Sequence, residues 1–454
     1  MMKLEMKTIS KQTIKPSSPT PPHLKTFHLS LLDQLLPPPY APLILFYPNS
    51  QDGVVSSSRL DALKSSLSET LTRFYPLAGT LSSDDLAIDC NDRGANLVEA
   101  RANCTMTWFL THPDLLSLPK LLPVDPVGPI VEPRHVSNVQ VTEFTCGGIA
   151  IGICISHKIL DGVALGTFLK AWTTTAAGCE EEKETNSALN PNFIAGTLFP
   201  AGGSHWLRNA SMPMWGSFFK TGKCVTRRIV FDSSAIRSLK SRLISPTGTR
   251  VEIVSALLWK SIMEASERVT GTQKPSLLTH LVNLRKRVEP PLSENSLGNL
   301  LWISSAKHDP KTEHPSKPSD LGELAGKVRE SISKIDDGFV GKLRGAERES
   351  AMAETFDEIV EMKMKKEGAD FVGFSSWCRM GFYGSDFGWG KPAWVSSYGV
   401  GGSVFMNLVI LADTPCGEGV EAWVTMDEDE MAAVAGNEEM AEFAKFDPSP
   451  LAFD

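Results

Sequence analysis

Gly147-Gly-Ile-Ala-Ile-Gly-Ile-Cys-Ile-Ser156 runs without interruption into His157-Lys-Ile-Leu-Asp-Gly162. Ile149 to Ile155 is apolar at nearly every position, which marks a central strand covered on both faces. It is too short to cross a bilayer, which takes about 20 apolar residues. Val136 to Phe144 is a second β-rich run, and the Cys146-Gly-Gly region between the two is turn material, so they read as a hairpin. A helix is predicted from Gly162 to about Trp172. His157 therefore stands at the end of a buried strand and in front of a helix, where loops leave room for a substrate.

The His157-x-x-x-Asp161 spacing by itself leaves three readings open. His157 could be a general base, because free imidazole titrates near pKa ~6.5 and can accept a proton from an alcohol at neutral pH. The two residues could ligate a metal, but no third and fourth ligand stands nearby, so no metal is expected. Or His157 could be a buried histidine held by a carboxylate, and spacing does not separate that reading from the first.

Working outward, Leu29-Ser-Leu-Leu-Asp-Gln34 reads as a short ordered element between the Pro-rich segments Pro16 to Pro22 and Pro37 to Pro42. Leu60, Leu63, Leu67, Leu71 and Phe74 have the spacing of an amphipathic helix, stopped by Pro76 and Gly79. Glu180-Glu-Glu-Lys-Glu184 is a solvated charge run, and 190–217 has no clear period. Strands are then expected at 225–231, 277–284, 300–306, 403–412 and 420–426. Helices are expected at 233–243, 252–269, 350–366 and 428–443, with a further helical stripe from Leu321 to Ile335. The stretch 373–402 reads as Gly- and aromatic-rich. Mixed strands and helices without βαβ alternation predict an α/β fold of two mixed-sheet domains. The expected division is 1–178, a crossover at 179–222, and 223–454.

The chain has 454 residues, 42% apolar and 22% charged, with a net charge of −8. These values exclude a disordered chain, a coiled coil and a collagen-like fibre. An acidic balance with no basic block argues against nucleic acid or anionic lipid as partner. Eight cysteines without C-x-x-C spacing read as free thiols of a reducing compartment. The N-terminus carries charges where a secretory signal needs an apolar core, and the C-terminal Ala-Phe-Asp matches no targeting signal. The expectation is a cytosolic protein that neither enters nor spans a membrane.

Asp386-Phe-Gly-Trp-Gly390 is the second unusual stretch. Two glycines around a tryptophan indicate a tight backbone with large rings as packing anchors. Asp-Phe-Gly also occurs in protein kinases, but the glycine-rich phosphate loop and His-Arg-Asp loop are missing. No Gly-x-Ser-x-Gly elbow marks an α/β-hydrolase, and Gly399-Val-Gly-Gly402 is not a dinucleotide fingerprint.

With both stretches read, the chain resembles the plant BAHD acyltransferases, which use acyl-coenzyme A. The resemblance rests on His157-x-x-x-Asp161 and Asp386-Phe-Gly-Trp-Gly390 in that order. Further matches are Ile14-Lys-Pro-Ser-Ser-Pro-Thr-Pro21, Leu29 to Gln34, Phe74-Tyr-Pro-Leu-Ala-Gly79, Val282-Asn-Leu-Arg-Lys-Arg287 with Pro290-Pro291, and Gly298-Asn299. It covers essentially the whole chain, and the opening with Ser-His-Lys is most similar to the branch containing vinorine synthase.

The resemblance implies a chloramphenicol acetyltransferase-like pair of domains of similar size, with the active-site channel at their interface. It implies His157 as the base of the catalytic His157/Asp161 motif, with Asp161 paired to Arg285 in a structural role. Asp386, Gly388 and Gly390 would be structural. Ser375 and Trp377 would serve the oxyanion or acceptor pocket, with Asn299 lining the interface. Ser255 and Lys260 would meet the coenzyme. For Trp377, Lys260 and Asn299, plain packing, an exposed helix lysine and a turn cap stay open. The implied reaction is direct transfer of acetyl from acetyl-CoA to a small-molecule alcohol (terpenoid, alkaloid or simple), by a monomer. A silent ligand-binding paralogue is the alternative, as is an aromatic or malonyl donor. Ser296-Leu-Gly-Asn-Leu300 departs from the Tyr-Phe-Gly-Asn-Cys of the malonyl branch, which lowers that last option.

Overall fold

The computed structural model describes residues 3–37, 40–49, 56–126, 128, 132–178, 189–201, 215–216, 218–243, 248–310, 320–363 and 368–452. Two mixed sheets, each with helices packed on it, make two domains.

The first sheet contains β1 (Met6–Ile14), β2 (Tyr40–Tyr47), β3 (Ala95–Ala102), β4 (Ser137–Glu143) and β5 (Ile149–Ser156). The second contains β6 (Cys224–Phe231), β7 (Ser276–Asn283), β8 (Leu301–His308) and β9 (Asp370–Ser376). A sixth strand of the first sheet, β10 (Trp394–Ser396), comes late in the chain. β11 (Leu408–Asp413) and β12 (Val420–Asp427) complete the second sheet. The orders are β1-β3-β4-β5-β2-β10 and β8-β7-β9-β11-β12-β6, the latter extended by Lys445–Phe446. In the first, only β3/β4 is parallel. In the second, β7/β9 and β9/β11 are parallel.

The predicted hairpin forms, with Val141 opposite Ile151. β5 is buried throughout. Its Ile149, Ile151, Ile153 and Ile155 enter one core, while Ala150 and Cys154 enter a separate one on the other face. That explains an apolar run with no alternation.

The predicted helix after Gly162 is α3, defined here after α1 (Leu31–Leu35) and α2 (Ser56–Arg73). α3 runs Gly162–Ala177, five residues beyond the predicted end, and stops at left-handed Gly178. α2 lays Leu63, Leu67 and Leu71 into the same core as Phe168 and Trp172 of α3, and Trp172 Nε1 donates to Ser66 Oγ at 3.0 Å. In the second domain α4 (Arg250–Thr270) opens with a Thr249/Glu252 capping box and buries Ile253, Leu257, Leu258 and Trp259 on the sheet.

Three expectations need correction. The strand predicted at 403–412 is two: Val404–Met406 leaves to pair with Phe219–Thr221, and the chain breaks at Asn407 before β11. The helix predicted at 428–443 is broken into Glu428–Ala435 and Glu438–Phe443, because Asn437 caps the second by accepting from Met440 N. The stretch 373–402 begins inside β9 and contains β10. The helix predicted at 350–366 spans Arg348–Lys363, and 364–366 lie outside the described residues. So do 179–188 and 202–214 of the predicted crossover.

β10 pairs antiparallel with β2, so residues from the second half of the chain finish the first sheet. Trp394 stacks on Phe46 of β2 and on Trp423 of β12, with centroids 5.1 and 5.9 Å apart, and ties the two sheets together. Behind it Arg228 and Glu421 form a wholly buried ion pair at 2.5 Å. Among the described residues no helix is long and apolar enough to cross a membrane, and the seven described cysteines are free thiols.

Candidate active site

His157 leaves β5 half-buried and meets Asn299, the second residue before β8. His157 Nδ1 lies 3.0 Å from Asn299 Oδ1. The hydrogen-bond network sets the protons. Asn299 Nδ2 donates to the His157 carbonyl at 2.7 Å and to Asp33 Oδ1 at 2.8 Å. Both partners are acceptors, so the amide cannot be turned round. Its oxygen therefore faces the ring, and Nδ1 must carry the hydrogen. The Nε2 lone pair is left to accept a proton.

Asp33 belongs to α1 and serves two neighbours. Its Oδ2 accepts from Ser30 N and Ser30 Oγ at 2.9 and 2.6 Å, while Oδ1 accepts from Asn299 N at 2.7 Å as well as from Nδ2. Burial pushes the Asp33 carboxyl above its ordinary value, against the downward pull of these hydrogen bonds from Ser30 and Asn299. Sequence reading took Leu29 to Gln34 only as an ordered element. The signal it passed over was Ser30-x-x-Asp33, a capping-box pattern.

Asp161 works on the other side of the loop. It caps α3 by accepting from Ala164 N at 2.9 Å, and it also accepts from Leu300 N at 3.0 Å. Arg285 grips it with two nitrogens at 2.7 and 3.1 Å and donates to the carbonyls of Ser296 and Gly298. Both side chains are buried. One fork thus joins the start of α3, in the first domain, to the 296–300 loop of the second. His157 is not among the hydrogen-bond partners of Asp161.

Gly298 makes the last step to Asn299. Its φ is +128°, and a Cβ there would stand 2.6 Å from Ala195 Cβ. Gly298→Ala is expected to cost about 1–3 kcal/mol through backbone strain. The displaced Asn299 should lower kcat with little change in KM for the donor, as steady-state kinetics on the folded variant will read.

Trp377 lies beside the start of α3, its Cδ1 3.8 Å from the Cβ position of Gly162, with its ring edge-on to Phe382. Ser375, half-buried on β9, pairs with Ile410 of β11. A small, open apolar recess lies next to α1. Leu32, Leu35 and Leu36 wall it on one side and Leu301 and Ile303 on the other, one to four residues along from Asp33 and Asn299.

The two residues expected to meet the coenzyme both lie on α4 of the second domain, outside the loop that carries His157. Ser255 is wholly buried on α4 with no hydrogen-bond partner for its Oγ. Lys260 is held by Glu439 at 2.6 Å.

The 386–390 segment is also remote from His157. Asp386 Oδ1 accepts from Gly388 N and Gly390 N at 2.8 and 2.9 Å, and both glycines have positive φ. Phe387 packs edge-on to Trp172 at 5.0 Å, and Gly388 lies against Ala177, the last residue of α3. His157 precedes the first residue of that helix, which is roughly 24 Å long at 1.5 Å per residue. This loop braces the far end of α3 and leads into β10.

The two-domain α/β fold thus sets His157 at the domain interface. Comparison with known proteins shows the class to which the chain belongs. The profile of the Transferase family matches residues 4–441. Epi-neemfruitin B 7-O-acetyltransferase of Melia azedarach is 39% identical over 465 residues, covering 99% of this chain and 100% of that protein. The crystal structure of vinorine synthase superimposes with a TM-score of 0.81 at 33% identity, covering 97% of this chain and 99% of that one. The fold is also that of F. sporotrichioides TRI101 complexed with coenzyme A and T-2, at 18% identity, TM-score 0.72 and coverage of 93% and 99%. The chain is therefore an acyltransferase. It belongs to the Transferase family, the BAHD acyltransferases, and within it to the acetyltransferase branch.

Proposed function

We propose that this enzyme transfers acetyl from acetyl-CoA to the hydroxyl of a plant specialised metabolite, in the cytosol and as a monomer. His157 Nε2 removes the hydroxyl proton as the oxygen attacks the thioester carbonyl. The tetrahedral intermediate carries an oxyanion, which Ser375 and Trp377 serve by donation. Its collapse expels the coenzyme A thiolate, and the imidazolium returns the proton to it. Alcohol and donor meet in one ternary complex, with no acyl-enzyme. Asp161, Arg285, Asp386, Gly388 and Gly390 hold the scaffold.

The observation that carries this reading is the orientation of Asn299, which leaves His157 with a lone pair on Nε2 alone. No acidic or basic cluster in the sequence marks a charged acceptor, which favours a compact, largely apolar alcohol, whether terpenoid, alkaloid or simple. The test is to incubate the purified protein with a pooled alcohol library and, in parallel, acetyl-CoA, an aromatic acyl-CoA or malonyl-CoA, and identify the esters by mass. Acetyl esters at rates well above the enzyme-free control are expected. Products only from aromatic or malonyl donors would overturn the donor assignment. No product across the panel would favour a silent ligand-binding paralogue.

A further inference from the structure

We infer that Asp33 is a positioning residue for the reaction, setting which ring nitrogen of His157 is free by holding the Asn299 amide in one orientation; the inference rests on the general-base reading above.

The argument is one of donor and acceptor bookkeeping along a chain of three side chains. A primary amide has an accepting end and a donating end, and only its surroundings decide which end faces the histidine. Asn299 presents its oxygen to His157 Nδ1 because its nitrogen is claimed by Asp33 Oδ1 and by the His157 carbonyl. Asp33 is the side chain that can enforce this, because both of its oxygens receive donors. Asn299 N and Nδ2 point at Oδ1, and Ser30 N and Oγ point at Oδ2. With four donors aimed at it, the group is an acceptor and nothing else. A donor at that position would compete with the His157 carbonyl for the end of the amide they share. Wherever it turned the Asn299 oxygen towards itself, the nitrogen would face His157 Nδ1. Nδ1 would then have to accept, the proton would move to Nε2, and the base would be lost.

Asp33 also ties this switch to the recess. It sits on the five-residue α1, whose Leu32 and Leu35 wall that space. The neighbouring charged groups are set apart: Lys158 Nζ donates to the Gln34 carbonyl at 3.3 Å, and Asp161 and Arg285 satisfy each other. The helix that walls the recess therefore also holds the orienting carboxylate.

The test replaces Asp33 by asparagine, which keeps size and shape but gives the amide a choice of ends. Nitrogen-15 spectra of ring-labelled histidine at mildly alkaline pH read the tautomer without turnover, with His157 assigned by the signals missing in His157→Gln. In wild type the ring should be Nδ1–H. In Asp33→Asn a substantial Nε2–H population should appear, and kcat should fall about 10- to 100-fold. That is less than the roughly 10⁴-fold seen when a carboxylate in direct contact with a catalytic histidine is lost. KM for acetyl-CoA should stay within about twofold. Gln34→Ala removes the α1 side chain that donates to the Leu29 carbonyl but leaves every contact of Asp33 and Asn299, so it should keep the wild-type tautomer and turnover. The inference is overturned if wild type is Nε2–H, if Asp33→Asn stays wholly Nδ1–H, or if Gln34→Ala shifts the ring as far. A shifted tautomer with undiminished turnover would leave the Asp33 link standing and overturn the general-base reading instead. Should Asp33→Asn not fold, the wild-type spectrum still decides, because an Nε2–H ring there overturns the inference.

Discussion

His157→Ala is expected to lower kcat by about 10²- to 10⁴-fold, the usual worth of a positioned general base. That range corresponds to roughly 3–5.5 kcal/mol on the barrier. The loss should fall on chemistry and not on binding, because the ring is half-buried at the interface and its one side-chain partner among the described residues is Asn299. Isothermal titration should find acetyl-CoA binding close to wild type, and the melting temperature should move little. The pH profile separates a base from a wall residue. Wild-type kcat/KM should fall on the acid side, since an imidazolium cannot accept the hydroxyl proton. The residual activity of the variant should lack that limb. Equal turnover in His157→Ala and wild type would sink the mechanism whatever the acceptor proves to be.

The contrast between what was legible in the chain and what was not has a physical basis. β5 announced itself because a strand covered on both faces must be apolar throughout. α3 was readable from the glycine and apolar residues after Asp161, though its end was not, since Thr173 to Thr175 carry no stop signal and Gly178 supplies it. The edge strand β1, Met6–Ile14, was missed because Lys7, Thr8 and Ile9 face water. β2 hid behind Pro42, which hairpin and edge rules count against a strand. Whether residues far apart in the chain meet is a different matter. Asp33, His157 and Asn299 come from three segments more than a hundred residues apart, and no local period records that they touch. The pairing of β10 with β2 is likewise written in tertiary packing alone, in the stack of Trp394 between Phe46 and Trp423.

Arg285→Ala should be the most damaging change to the fold near the site. The variant leaves the Asp161 carboxylate buried without its cation, and removing one partner of a buried pair costs about 3–5 kcal/mol. Two carbonyls, Ser296 and Gly298, lose a donor in the same step. Urea or thermal unfolding should therefore show a clear drop in the midpoint. Lysine should rescue little, since one ammonium cannot hold a carboxylate through two nitrogens and reach both carbonyls. The pair Asp161→Asn with Arg285→Leu should be milder than Arg285→Ala alone, because no charge is then stranded. Such a cycle also tells a clamp from a catalyst. If the pair only fastens the 296–300 loop to α3, the folded fraction of each variant should keep the acid limb of the pH profile, with kcat lowered because Asn299 no longer holds the ring. If Asp161 exchanged protons with His157, the limb itself would move, and the separation between the base and its scaffold drawn from the hydrogen bonds would be wrong.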